Sequence, residues 1–283
     1  MIFPDIAIST APIGVFDSGV GGLTVLNRLL ELLPEQNYIY LGDTARVPYG
    51  NKSEETVKHY ALQCSQFLVD QGAKFIVVAC NTASAVALDY IRSIISVPII
   101  GVIEGAASVA VAKTRNKSIG VIGTKATIRS GAYTKEIVKK SSKKVAITSV
   151  ACPLLVPIVE ENWQNHTSTK LIIQEYAKEL HLNSIDTLVL GCTHYPMLKD
   201  QFLEEFPKVE LIDCGQSTAE LTRVMLPQFQ QTYTSNKNRS QNVEFYITDN
   251  DSNFPKIAEA FLGFIPKHIQ TVDIESVSNF SMK

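Results

Sequence analysis

Long hydrophobic runs, clustered charge of one sign and closely spaced cysteines are all missing from this chain of 283 residues. No apolar stretch approaches the roughly 18 residues that a transmembrane helix needs. The longest candidates, FIVVAC and VPIIGVI, have the length of core strands. The N-terminal MIFPDIAISTAP lacks a basic start followed by a long apolar stretch. It is not read as a secretory signal, and a cytoplasmic location is expected. Lys and Arg total 26 against 28 Asp and Glu, a formal net charge of −2, and the basic residues are scattered. That pattern predicts no nucleic-acid partner and no membrane-surface partner.

The five cysteines, Cys64, Cys80, Cys152, Cys192 and Cys214, are odd in number, widely spaced and without a CxxC pair. Neither a disulfide framework nor a zinc site is expected. In a reducing compartment they are free thiols, and each behaves as a small buried hydrophobe unless its setting says otherwise. Nucleotide-binding fingerprints are absent as well. In DSGVGG (17–22) the glycines at 19, 21 and 22 have the wrong spacing for GxGxxG, and no GxxxxGK[ST] occurs. The turn is read instead as one that lets backbone approach a small anion closely.

What is present is an ordinary globular mixture, 45% hydrophobic and 19% charged, long enough for one large or two small domains. Short apolar runs recur at 12–17, 38–43, 74–80, 97–103, 118–124, 144–152, 186–192, 209–214 and 243–249. Most show no strict alternation, as in strands covered on both faces. Helical stretches separate them, for example 21–33, 53–71 and 169–181; Ser53 followed by two glutamates makes a good helix start. This alternation predicts an α/β protein with parallel sheet. The polar segment 231–242 reads as an exposed loop.

A long-range similarity divides the chain. GVFDSGVGGLTVL at Gly14 and GVIGTKATIRSGAY at Gly120 lie 106 residues apart, and KFIVVACNTAS and DTLVLGCTHYP place cysteines 112 apart. Two related α/β units are expected. Parallel sheets bind ligands beyond the C-terminal ends of their strands, which draws attention to Asp17-Ser18, Cys80-Asn81-Thr82 and Cys192-Thr193-His194. Both thiols are expected where a strand ends and a helix begins, the second helped by Pro196 in a first turn. Two thiols facing one pocket suit racemisation, which needs a base on each face of a carbon. A cysteine hydrolase gives no reason for the second thiol. Without an electron sink, the protein must stabilise the developing carbanion by electrostatics and exclude water. Ser18, Thr82, Thr193 and the glycine-rich turn can hold a substrate carboxylate. Asp17, Glu160 and His194 can tune the thiols or relay protons.

FDSGVGGLTVL, YLGDTARVPYG, VVACNTASA, GVIGTKATIRSGAY and LVLGCTHYPML, in this order, resemble the signature blocks of bacterial glutamate racemases, over residues 12–226. The resemblance implies two flavodoxin-like parallel-sheet domains related by a pseudo-two-fold axis, with the active site between them. The first would comprise 1–101 with 215–283 and the second 102–214. It implies acid/base roles for Cys80 and Cys192, auxiliary roles for Asp17, His194 and Glu160 (or its neighbour Glu161), and substrate contacts from Asp17, Ser18, Tyr49, Gly50, Asn81, Thr82, Thr193 and His194. It implies no cofactor and no metal, a glutamate substrate, a homodimer, and supply of D-glutamate for peptidoglycan. Cys214 stands where serine is usual; core packing is expected of it, rather than a third reactive thiol. An aspartate racemase and a non-catalytic amino-acid-binding protein are the competing readings.

Overall fold

The computed structural model describes residues 11–182, 184–226, 242–250 and 254–275. The N-terminal stretch up to residue 10 and the segment 231–241, read above as an exposed loop, lie outside the described residues. The chain runs through β1 (Ile13–Asp17), α1 (Leu23–Leu32), β2 (Tyr38–Gly42), α2 (Glu54–Asp70), β3 (Phe75–Val78), the short helices α3 (Asn81–Val86) and α4 (Leu88–Arg92), and β4 (Ile99–Gly101). Helix α5 (Val102–Lys113) leads to β5 (Ser118–Gly123), α6 (Lys125–Ser130), α7 (Ala132–Lys140), β6 (Ala146–Ala151), α8 (Leu155–Glu160), α9 (Thr167–Leu182), β7 (Thr187–Gly191), α10 (Lys199–Glu205) and β8 (Glu210–Asp213). Helix α11 (Cys214–Met225) is followed by β9 (Val243–Ile247), α12 (Phe254–Leu262) and β10 (Ile269–Thr271).

Two sheets result, ordered β10-β9-β2-β1-β3-β4 and β6-β5-β7-β8. Every strand pair in both is parallel. The inner strands β1, β2, β3, β5 and β7 are buried along their whole length, as their unbroken apolar sequences require. Edge strand β6 is only partly covered. The helices form for local reasons as well. Ser53 Oγ accepts the Thr56 amide at 3.2 Å ahead of α2, and Glu54 and Glu55 fill its first turn.

The apolar run 97–103 is a strand only as far as Gly101; Val102 and Ile103 open α5 instead. The Val102 amide donates to Ser84 Oγ at 3.2 Å, so a side chain from α3 supplies the acceptor that a new helix start lacks.

Four strands of the first sheet, β2-β1-β3-β4, repeat the whole of the second, β6-β5-β7-β8, in the flavodoxin-like order 2-1-3-4; β9 and β10 extend the first sheet beyond β2. The register makes the repeat specific. Ile13 pairs with Phe75 across β1 and β3, and Ile119 with Thr187 across β5 and β7. These are the same spacings that relate the two glycine turns and the two cysteines in the sequence. Gly14 and Gly120 show what the repeat is for. A Cβ on Gly14 would meet Ala73 Cβ and Leu68 Cδ1 at 3.0 Å; one on Gly120 would meet Ile185 Cδ1 at 2.7 Å and Leu180 Cδ2 at 3.0 Å. In each sheet the first strand carries a glycine so that the helix before the third strand can press onto it. Gly120→Val is therefore expected to lower the unfolding free energy by about 1–3 kcal/mol through overpacking, read from chemical denaturation. An unchanged midpoint would show that α9 yields at no cost.

Candidate active site

Polar residues that follow the C-terminal ends of β1, β3, β5 and β7 converge on one cavity of about 300 Å³. Ser18, Cys80, Asn81 and Thr82 reach it from the first sheet, and Thr124, Cys192, Thr193 and His194 from the second. Tyr49 and Gly50 close another side, and Glu160 comes from the end of α8. Ten of the eleven residues singled out in the sequence thus share one space. The exception is Asp17, buried behind the wall.

The two thiols are held differently. Cys80 is the N-cap of α3, and its Sγ accepts the Ala83 amide at 3.4 Å while lying 3.7 Å from Ser18 Oγ. Burial, and after it the negative charge of Asp17, push this thiol up to about 12. Cys192 departs from expectation. No α-helix begins beside it; a single 3₁₀ turn, Tyr195–Leu198, carries Pro196, and α10 starts only at Lys199. Its partner is instead His194, whose Nδ1 lies 3.9 Å from Sγ. His194 Nε2 meets Glu160 Oε1 at 3.0 Å. Of the two neighbouring carboxylates, both exposed, it is Glu160 that meets the imidazole, while Glu161 caps the end of α8. Burial alone would push the imidazole down, but hydrogen bonds to Cys192 and Glu160, with their charges, carry it up to about 10.

Asp17 Oδ2 accepts the Gly19 amide at 3.0 Å, and Oδ1 has no hydrogen-bond partner among the described residues. Burial raises this carboxyl, against the pull of His194 and neighbouring amides. It acts on the cavity through charge, on Cys80 and on His194, rather than by contact.

The glycine turn also serves a purpose other than the one its sequence suggested. A Cβ on Gly21 would lie 2.3 Å from Thr193 Oγ1 and 2.5 Å from His194 Cε1, and one on Gly22 would lie 2.4 Å from Asp17 Cβ. The missing side chains make room for Thr193, His194 and Asp17 of the protein itself. Thr24 Oγ1, just beyond, donates to the Thr193 carbonyl at 2.9 Å. Across the cavity, Thr82 Oγ1 lies 3.0 Å from Thr124 Oγ1, a second bond between the halves.

Tyr49 does not offer its hydroxyl to the cavity. The phenol is hydrogen-bonded to Asp43, which also holds Arg46 Nε at 2.8 Å and accepts from Thr248 Oγ1 at 2.9 Å. With a single proton committed there, Tyr49 and Gly50 present chiefly backbone and ring surface. Gly50 abuts Thr124, whose Cβ would be 2.8 Å from an added methyl.

Cys64, Cys152 and Cys214 do not line the cavity, and burial pushes all three thiols well up. Cys214 donates to the Leu190 carbonyl at 3.0 Å, which fits the packing role expected of it. Among the described residues no three His, Cys, Asp or Glu side chains gather as a metal would require.

Sequence reasoning missed Thr124 and Lys125, and the wall of Pro153, Val156 and Pro157. The first pair was within reach, because it follows strand 118–123 as Ser18 follows 12–17. The wall carried no signal, being apolar residues in an unremarkable run.

The Asp/Glu/Hydantoin racemase model matches residues 13–222. The glutamate racemase of Syntrophus aciditrophicus (strain SB) is 48% identical over 255 residues, 89% of this chain and 93% of that protein. The crystal structure of glutamate racemase from Francisella tularensis subsp. tularensis SCHU S4 in complex with D-glutamate matches with a TM-score of 0.86 at 37% identity, over 95% of this chain and 99% of that one. The Thermus thermophilus glutamate racemase, in complex with beta-chloro-D-alanine, matches at 0.82 and 40%, over 94% and 98%. With this agreement along nearly the whole chain, the protein belongs to the Asp/Glu/Hydantoin racemase family.

Proposed function

We propose that this protein interconverts L- and D-glutamate without a cofactor, using Cys80 and Cys192 as acid and base on opposite faces of the α-carbon. One observation carries the reading: two thiols, one following a strand of each sheet, open into a single cavity. In the forward step the thiolate on one face takes the α-proton and becomes a thiol. The thiol on the other face gives its proton to the carbanion and becomes a thiolate. No proton is gained or lost overall, and reversal exchanges the two roles. Cys80, pushed up to about 12, rests with its proton and is ready to donate. His194, kept charged by Glu160 and Cys192, places a positive group on the other face.

The carbanion is the costly species. Fixed donors in a closed cavity lower its energy more than water would. Ser18, Asn81, Thr82 and Thr193, the backbone of Tyr49 and Gly50, and His194 are the groups that would hold the substrate's amino and carboxylate groups. Glutamate is assigned because relatives at 41–48% identity are named glutamate racemases. An aspartate racemase homologue and an aspartate racemase match at 19% and 18% identity, a likeness of fold alone.

The same reading divides the chain into one domain of 1–101 with 215–283 and another of 102–214. In its support, β1–β4, β9 and β10 share one sheet and β5–β8 the other, with α5 and α11 at the two crossings. Among the described residues no helix is long and apolar enough to cross a membrane. A cytoplasmic homodimer that supplies D-glutamate for peptidoglycan completes the proposal.

Incubation of the purified protein with L-glutamate in D2O is expected to abolish optical rotation and to place deuterium at the α-carbon of the product. Faster turnover of aspartate than of glutamate would reassign the substrate. The His194 geometry has a consequence for stability. Its folded value of about 10 lies above the ordinary 6.5, so the charged imidazole contributes stability that is fully present below pH 6.5 and lost as pH rises towards 10. The margin in unfolding temperature between wild type and His194→Asn is therefore expected to be largest near pH 6 and to shrink towards pH 10. A margin that widens with pH would contradict the pairing.

A further inference from the structure

We propose that Tyr133 is a positioning residue for this reaction, setting the orientation of the Asn81 carboxamide at the cavity wall. The inference rests on the glutamate reading above and concerns a residue that does not itself line the cavity. Tyr133 lies on α7, beside the second sheet, whereas Asn81 opens α3 beside the first. Its hydroxyl donates to Asn81 Oδ1 at 2.6 Å and sits 2.9 Å from Cys214 Sγ. The phenol is fully buried, and burial raises it well above its usual range, so it keeps its proton and remains a donor.

Proton counting and acceptor strength together give the direction of the network. The Leu190 carbonyl can only accept, so the Cys214 thiol proton goes there, at 3.0 Å. The phenol then has one proton and two neighbours, a carboxamide oxygen and a sulfur. Sulfur is the weaker acceptor, so Asn81 Oδ1 receives it. The other end of the carboxamide follows. Asn81 Nδ2 is buried and has no hydrogen-bond partner among the described residues. A buried amide donor left alone is costly, and such groups in folded proteins nearly always find an acceptor. Asn81 lines the cavity next to Cys80, and an oxygen of the substrate is the acceptor it lacks.

Without the Tyr133 hydroxyl the carboxamide is free to turn over and present Oδ1, an acceptor, to a substrate carboxylate. The donor–acceptor pattern of the wall is thus set from the opposite half of the protein, and it is correct only while the two halves hold their relative position.

Tyr133→Phe removes the oxygen and little else. Glutamate binding by calorimetry, racemisation kinetics and thermal unfolding are measured for wild type, Tyr133→Phe, Asn81→Ala and the double variant. Tyr133→Phe is expected to raise Kd and KM for glutamate by about tenfold, the size of one hydrogen bond to a charged group, with a much smaller change in kcat. In the Asn81→Ala background the same change is expected to have almost no further effect on binding, because its target is gone. A Tyr133→Phe protein that unfolds earlier but binds glutamate as wild type does would reduce Tyr133 to a core residue and overturn the proposal. Additive losses in the double variant would overturn it as well. Wild-type protein that binds glutamate without racemising it would instead defeat the functional reading, with the role of Tyr133 still decided by the binding data.

Discussion

The cavity exists because the Thr193–His194 turn of one half lies against the bare backbone of Gly21 in the other. An added methyl would lie 2.3 Å from Thr193 Oγ1 and 2.5 Å from His194 Cε1, on side chains that themselves line the cavity. The contact sets how deeply the two C-terminal sheet edges face one another, and so how far Cys192 stands from Cys80. The Thr24 bond to the Thr193 carbonyl and the Thr82–Thr124 bond hold the same alignment from either side. Dense packing leaves such a joint little room to adjust, so a small displacement there reaches both thiols.

Within that frame the two sulfurs are not equivalent, although the sheets that carry them are. Cys80 sits at a helix N-terminus with Asp17 behind it, and Cys192 sits beside an imidazole that Glu160 keeps charged. A racemase has to work in both directions on substrates that are mirror images at one carbon only. Their α-protons point to opposite faces, while the rest of the molecule occupies one set of contacts. Under the two-thiol proposal, unequal surroundings for the two sulfurs are consistent with that demand, because each would meet a different flank of the same bound substrate.

Much of this was legible in the sequence, for reasons that can be named. Strands buried on both faces leave unbroken apolar runs, and residues placed just after them fall at the sheet edge where parallel sheets bind ligands. That rule alone reached Ser18, Cys80 and Cys192. The internal repeat was visible because Gly14 and Gly120 answer the same steric need. What sequence could not supply was anything set by contact across the interface: the purpose of Gly21, the commitment of the Tyr49 hydroxyl to Asp43, and the meeting of Glu160 with His194, 34 residues apart. The helix expected at Cys192 failed because Pro196 favours a helical first turn without specifying that it continue, and here a 3₁₀ turn intervenes. Strand β10 and helix α12 were missed; the first has only three residues and no room for a pattern.

As proposed, the reaction uses one thiol on each face of the α-carbon. The most direct test of this is α-hydrogen exchange in D2O by Cys80→Ser and Cys192→Ser, each given L- and D-glutamate separately. Both variants are expected nearly to lose racemisation in both directions. Each should still exchange the α-hydrogen of one enantiomer with retention, and the favoured enantiomer should be opposite in the two. Substantial racemisation by either variant, or equal and mild losses in both, would contradict it.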